Sequence, residues 1–149
     1  MNAKFLNSPD KKKLLAELER QFGINELPYL LLETGKEKIR GFSGTMNREE
    51  IIELGEISNV EIIGAYLLRK EGELRLSLDA TQILNKKIKK NIIEIDDKQL
   101  EDWLRGKDLN IQSKTGIFVI KYKEDFIGCC KSDGKRLWNF IPRERRIRT

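Results

Sequence analysis

The chain has 149 residues, of which 39% are hydrophobic and 36% charged, enough for one ordinary core or two small ones and outside the composition of disordered chains. It contains no histidine, which removes Ser-His and Cys-His nucleophile pairs, imidazole bases and His-ligated metals. The formal charge of +5 sits in the C-terminal part: from Asp97 onward 13 Lys and Arg face 8 Asp and Glu, whereas before Asp97 the two counts are 16 and 16. Such a bias suits a polyanion, of which RNA and DNA are the commonest in the cytosol.

In chain order, Met1 to Asn7 is too short and polar for a signal peptide, and no apolar run approaches the roughly 20 residues that span a bilayer. A soluble cytoplasmic protein without membrane contact is the expectation. Ser8-Pro9-Asp10 is expected to open a helix, with Ser8 as cap and an apolar stripe of Leu14, Leu15, Leu18 and Phe22 closing at Gly23. Tyr29 to Glu33, a Thr34-Gly35-Lys36 turn and Lys38 to Ser43 read as a hairpin. Asn47-Arg48-Glu49-Glu50 resembles a capping box before Ile51, Ile52 and Leu54, so a second helix is expected to end near Gly55.

Val60 to Arg69 reads as a strand that Gly64 bends, turning at Glu71-Gly72 into Glu73 to Leu76; Ser77 then caps a short helix through Leu84. Asn85-Lys86-Lys87-Ile88-Lys89-Lys90-Asn91 is the densest basic run and the best domain boundary, either a solvated linker or part of a charged surface. A strand at Ile92 to Ile95 precedes a helix capped by Asp96 or Asp97, carrying Leu100, Trp103 and Leu104 and ending at Arg105-Gly106. Leu109 to Ile111, Gly116 to Tyr122, Asp125 to Lys131 and Arg136 to Phe140 are four strand signals, which suggest a small barrel. Trp103 belongs to the core, and at least one of Trp138 and Phe140 joins it.

Cys129 and Cys130 are adjacent, and neighbours on a strand point to opposite faces, so a disulfide between them is geometrically poor. One core and one surface cysteine are expected. No metal or other cofactor is called for.

The order from Ile92 is strand, helix, Arg105-Gly106-Lys107-Asp108-Leu109, strands, Phe126-Ile127-Gly128-Cys129-Cys130-Lys131, and the ending Leu137-Trp138-Asn139-Phe140-Ile141-Pro142-Arg143-Glu144-Arg145-Arg146. It resembles the PUA domain, the RNA-binding barrel shared by pseudouridine synthases and archaeosine transglycosylases. The likeness is closest to archaeal proteins related to RNA cytosine-5 methyltransferases and to a ribosome-biogenesis factor, which often show a Gly-x-Gly-Lys turn and a Pro-Lys-Glu-Arg-Arg-like ending. Here Cys130 replaces the second glycine and Arg143 the lysine.

The resemblance implies an α+β fold: a small pre-PUA-like α/β domain over residues 1–90 and a PUA-type β-barrel over 91–149. It implies RNA contacts at the helix exit, on Arg105, Gly106 and Lys107. Gly106 permits a left-handed exit and a close approach to a sugar-phosphate, and Arg105 and Lys107 supply charge beside it. By the period-two rule Lys121 and Lys123 share one strand face, as do Arg143 and Arg145 if the tail is extended, with Arg146 and Arg148 on the other. With Lys131 these cations form a candidate phosphate track, which confers salt-dependent affinity and little sequence preference.

The leading expectation is a non-catalytic RNA-binding protein acting on structured tRNA or rRNA, in RNA modification or ribosome biogenesis, with an RNA methyltransferase or a ribosomal precursor as partner. The enzyme alternative, a small RNA-modifying enzyme or methyltransferase subunit, has one hint: Asp79, in Leu76-Ser77-Leu78-Asp79-Ala80-Thr81, which reads more simply as a helix-dipole partner. A third possibility is a protein-interaction module that binds no RNA.

Overall fold

A computed structural model describes residues 3–35, 37–42, 49 and 64–148. The helix expected after Asn47, but for Glu49, lies outside the described residues, as do Lys36 and the first part of the Val60 strand.

Helix α1 (Ser8–Phe22) begins one residue earlier than expected, because the Asn7 side chain, not Ser8, accepts the Asp10 N–H at 2.9 Å. Gly23, at φ +77°, closes it in the left-handed conformation. Its stripe of Leu14, Leu18 and Phe22 packs on a five-stranded antiparallel sheet in the order β1 (Ala3–Phe5), β2 (Leu30–Thr34), β3 (Lys38–Phe42), β4 (Ala65–Glu71), β5 (Glu73–Leu76). Strand β1 carries no sequence signal of its own; its partner β2 makes it a strand. The irregularity expected at Gly64 falls three residues later on the same strand: Ile39 pairs with Leu68 and Arg40 with Tyr66, so Leu67 is the extra residue on β4. Helix α2 (Leu78–Ile83) starts as expected, with the Ser77 hydroxyl accepting the Ala80 N–H.

The lysine run is a packed connector. Ile88 is buried, the Lys89 and Lys90 N–H groups donate to the Phe22 carbonyl, and Lys87 pairs with Glu26 at 2.8 Å. Buried Gln21 donates its amide to the Leu74 carbonyl and accepts the Leu74 N–H, which satisfies both ends of a side chain that would be costly to bury unpaired. Asn91 then bonds the Gln21 carbonyl, so one chain of amides ties α1, β5 and the start of the second sheet together.

That second sheet has four strands in the order β6 (Ile92–Glu94), β7 (Gly116–Tyr122), β8 (Asp125–Ser132), β9 (Leu137–Asn139), with helix α3 (Asp97–Leu104) between β6 and β7. Strands β6 and β7 are parallel and the other pairs antiparallel. The expected small barrel does not close among the described residues, where the four-stranded sheet stays open. Leu109 to Ile111 contributes one isolated bridge, Leu109 to Leu137, rather than a strand. Pro142 has no N–H for a ladder, and the chain after it turns into a 3-10 helix at Arg143–Arg145.

Both faces of this sheet are covered, which decides the fate of the two cysteines. Cys129 joins the core under α1 together with Ile117, Val119 and Phe126, whereas Cys130 faces the second core of Trp103, Ile120, Leu137 and Ile141. The expectation of one surface cysteine is therefore wrong: alternation places them on opposite faces, but both faces are interior. Burial pushes both thiols up to about 12, so neither forms a nucleophilic thiolate near neutral pH. Neither cysteine is expected to react with Ellman's reagent in the native protein, and both should react after denaturation; fast native labelling of either would contradict this packing.

Two further hydrogen bonds cross between the halves. The Gly128 N–H donates to the buried Thr81 hydroxyl at 3.1 Å, and the Ile117 N–H donates to the Glu73 carboxylate at 2.9 Å. No helix among the described residues is long and apolar enough to cross a membrane.

Candidate nucleic-acid interface

Helix α3 is bounded at both ends by local chemistry. A full capping box opens it: the Asp96 carboxylate accepts the Gln99 N–H, and the Gln99 side chain accepts the Asp96 N–H, both at 2.9 Å. A Schellman motif closes it, in which the Lys107 N–H donates to the Asp102 carbonyl and the Gly106 N–H to the Trp103 carbonyl, each at 3.0 Å. Gly106 takes φ +88°, a value that favours glycine.

The room left by the missing Gly106 side chain is occupied by the C-terminal tail. A Cβ placed on Gly106 would lie 2.2 Å from Arg146 Nε and 2.3 Å from its Cδ. Arg146 is held there by donating from Nε to the Ile141 carbonyl at 3.0 Å, and the Ile147 N–H donates to the Leu104 carbonyl at 2.9 Å. Thus the glycine brings an arginine onto the helix exit instead of leaving bare backbone open to a sugar-phosphate.

Asn139 staples the arrangement. Its amide donates to the carbonyls of Trp103 at 2.8 Å and Lys107 at 3.0 Å, and its oxygen accepts the Ile141 N–H at 2.7 Å. Asp108 receives the Asn139 N–H at 2.8 Å. One side chain therefore satisfies carbonyls at the end of α3 and sets the direction in which the tail leaves β9. No spacing rule distinguishes Asn139 from an ordinary loop asparagine, since its partners are 32 and 36 residues away.

Of the nine cations and one glycine expected to form the surface, the structure brings Arg105, Gly106, Lys107 and Arg146 together. Arg105 pairs with Glu101 at 2.6 Å and Lys107 with Asp102 at 3.5 Å; both acids lie on the same helix, so each cation keeps an exposed partner. Arg143, Arg145 and Arg148 follow on the tail. Because Arg143–Arg145 is a 3-10 turn, the expected two-faced alternation of the tail arginines does not hold. Arg145 turns toward α2 and meets Asp79 at 2.9 Å.

Lys121, Lys123 and Lys131 lie elsewhere. Lys121 rests over the Phe126 ring at 5.6 Å. Lys123 has φ +53° in the β7–β8 turn, past the end of the strand, so the period-two argument linking it to Lys121 fails. It sits at the opposite end of α3 from Gly106, where Tyr122, whose hydroxyl donates to Asp97, raises its pKa, with Asp97 adding to the effect. Lys131 is exposed on β8, cross-strand from Trp138.

The aromatic residues divide sharply. Trp103 is fully buried and donates from Nε1 to the Ile127 carbonyl at 2.7 Å. Phe140 packs half-buried against the first core with the Arg75 guanidinium 4.2 Å from its ring centre. Trp138 is 41% exposed; Arg136 lies 3.9 Å from its ring centre, and its Nε1 donates to Asp133 at 3.3 Å. The backbone N–H groups of Lys135 and Arg136 hold the Asp133 carboxyl below its usual range, with smaller help from Trp138 and Arg136.

Residues 90–147 match the family described as the methyltransferase RsmF PUA domain. This segment is a PUA domain. No curated protein matches the chain in sequence. A solved structure, a conserved PUA domain protein from Thermoplasma acidophilum, shares the fold across 93% of both chains, at a TM-score of 0.62 and 16% identity. The helix exit and tail just described therefore lie inside the PUA segment, and α1 and the first sheet lie outside it.

Proposed function

We propose that this protein is a non-catalytic RNA-binding factor that holds structured tRNA or rRNA at the α3 exit of its PUA domain. It serves an RNA-modification or ribosome-biogenesis step in the cytoplasm, with the boundary between its two domains near Asn91. The carrying observation is the assembly of Arg105, Lys107 and Arg146 around Gly106, with Arg143 and Arg148 exposed on the adjoining tail. Guanidinium and ammonium groups set around a rigid turn suit phosphate, because the turn holds their positions without further ordering cost.

PUA domains as a class are RNA-binding and accompany RNA modification, which supports this reading. The family matched is described by a methyltransferase, which supports an RNA methyltransferase as the partner. The pairing of Asp79 with Arg145 supports an ion-pair role for that carboxylate and not a nucleophilic one. Lys121, Lys123 and Lys131 belong to the wider electrostatic field and not to the central contact.

The test is affinity for a structured RNA hairpin as a function of salt. Phosphate contacts by these five cations predict a loss on the order of 500-fold between about 50 and 200 mM salt. Salt-insensitive binding would remove the phosphate track. A changed nucleotide mass after incubation of RNA with the protein alone would overturn the non-catalytic assignment.

A further inference from the structure

On the side of the molecule where the two sheets meet, three aromatic rings each carry an arginine. Tyr66 on β4 has Arg40 at 5.8 Å from its ring centre, Phe140 has Arg75 at 4.2 Å, and Trp138 has Arg136 at 3.9 Å. Tyr66, Arg75 and Phe140 line one cleft of about 200 Å³. On β9 Trp138 points away from Leu137, which faces the second core, and Phe140, just past the strand end, packs against the first core instead. Tyr66 and Phe140 share the cleft, and Trp138, two residues before Phe140, extends the row onto β9.

This row is separate from the α3 exit. Leu137 and Asn139 turn toward α3 and its core, whereas Trp138 and Phe140 turn the other way. Further cations flank it: Lys38 is 5.5 Å from the Tyr66 ring centre, and Lys131 stands across from Trp138. Its acids are largely engaged. Asp79 pairs with Arg145 and Asp133 accepts three N–H groups, while Glu144 stands at the cleft.

We propose that this face binds unpaired nucleotides of the RNA whose paired part lies at the α3 exit, an inference that rests on the RNA-binding reading above. Every base has a flat face that stacks on an aromatic ring or a guanidinium plane, and the same arginines reach the phosphates between bases. Trp138 is the leading contact. Its ring is already ordered by Arg136 and Asp133, so little freedom remains to be lost on stacking. The surface fits single-stranded RNA better than an apolar protein partner, because its rings are interleaved with cations and a negatively charged chain complements them.

The experiment uses the full chain and two RNAs, a blunt hairpin and the same hairpin with an unpaired oligoadenosine tail. The tail is expected to tighten binding by about tenfold, the value of one or two stacked bases. It should also quench tryptophan fluorescence, in which exposed Trp138 responds and buried Trp103 does not. Trp138→Ala should abolish the gain and leave blunt-hairpin affinity unchanged, and Trp138→Phe should keep most of the gain. Equal affinity for the two RNAs, or equal weakening of both by Trp138→Ala, overturns this inference while the RNA-binding reading stands. Failure of both RNAs to bind overturns the reading and the inference together.

Discussion

Trp103→Ala is expected to cost about 3–5 kcal/mol of stability, the largest loss of any single substitution considered. Trp103 is fully buried in the second core: it has no solvent-accessible surface, it packs beside Ile120, Cys130, Leu137 and Ile141, and its indole N–H donates to the Ile127 carbonyl. Truncation leaves a cavity that a sheet covered on both faces cannot collapse, and it strands that carbonyl. It also loosens the carbonyl end of Trp103 that Gly106 and Asn139 use, so the damage reaches the helix exit. Because whole domains hold only about 5–15 kcal/mol, urea denaturation should show a large fall in midpoint or no native baseline. Trp138→Ala is the internal comparison, with an expected change of well under about 1 kcal/mol at an exposed position. Similar losses at the two tryptophans would contradict the assignment of one to the core and the other to the surface.

The second large effect concerns RNA. Arg105→Glu combined with Lys107→Glu should weaken binding to a structured hairpin by at least about tenfold and reduce the salt slope by about 2, with the melting temperature nearly unchanged. Stability should hold because both cations make exposed ion pairs, with Glu101 and Asp102, and such pairs are worth about 0–1 kcal/mol. Reversal does bring like charges together on α3, so Arg105→Gln with Lys107→Gln supplies a neutral control that should show a smaller loss in the same direction. Unchanged affinity in the reversed variant would remove the α3 exit as the RNA site while leaving the fold intact.

The two predictions meet at Gly106. The sequence reading treats this glycine as a helix terminator with charge on either side, and the terminator is correct to the residue. It misses why the position matters. The Arg146 side chain fills the space above Gly106, so a residue 40 positions later completes the site. Nothing in the local pattern Arg-Gly-Lys announces that, because the constraint arises only when the tail folds back. The same limit explains the failed alternation of Arg143 to Arg148. Period-two reasoning assumes an extended tail, and a 3-10 turn after Pro142 replaces it.

Elements that announce themselves in this chain are those stabilised by near neighbours. The helix start at Asp96 or Asp97, the Gly23 and Gly106 exits, the Ser77 cap and the hairpins all rest on contacts a few residues apart and are legible in the sequence, although the Gln99 half of the capping box that selects Asp96 is not singled out there. Strand β1, the parallel pairing of β6 with β7, and the Asn139 staple were not, because each depends on a partner brought from far along the chain. Cys130 shows the same division within one residue. Alternation correctly set it opposite Cys129, but whether that opposite face met water depended on α3 and Trp103 covering it.

The sequence by itself determined the helix exits at Gly23 and Gly106, the Ser77 start, the tryptophan in the core, the basic C-terminal third and the likeness to a PUA domain. Only the tertiary structure decided that the second sheet stays open among the described residues, that Arg105, Lys107 and Arg146 gather at one turn while Lys121, Lys123 and Lys131 stand apart, and that a second face carries arginine-capped rings. The physical reason is range: capping and periodicity act over three or four residues, whereas a charged or aromatic surface is assembled by packing, which joins residues with no regular spacing between them.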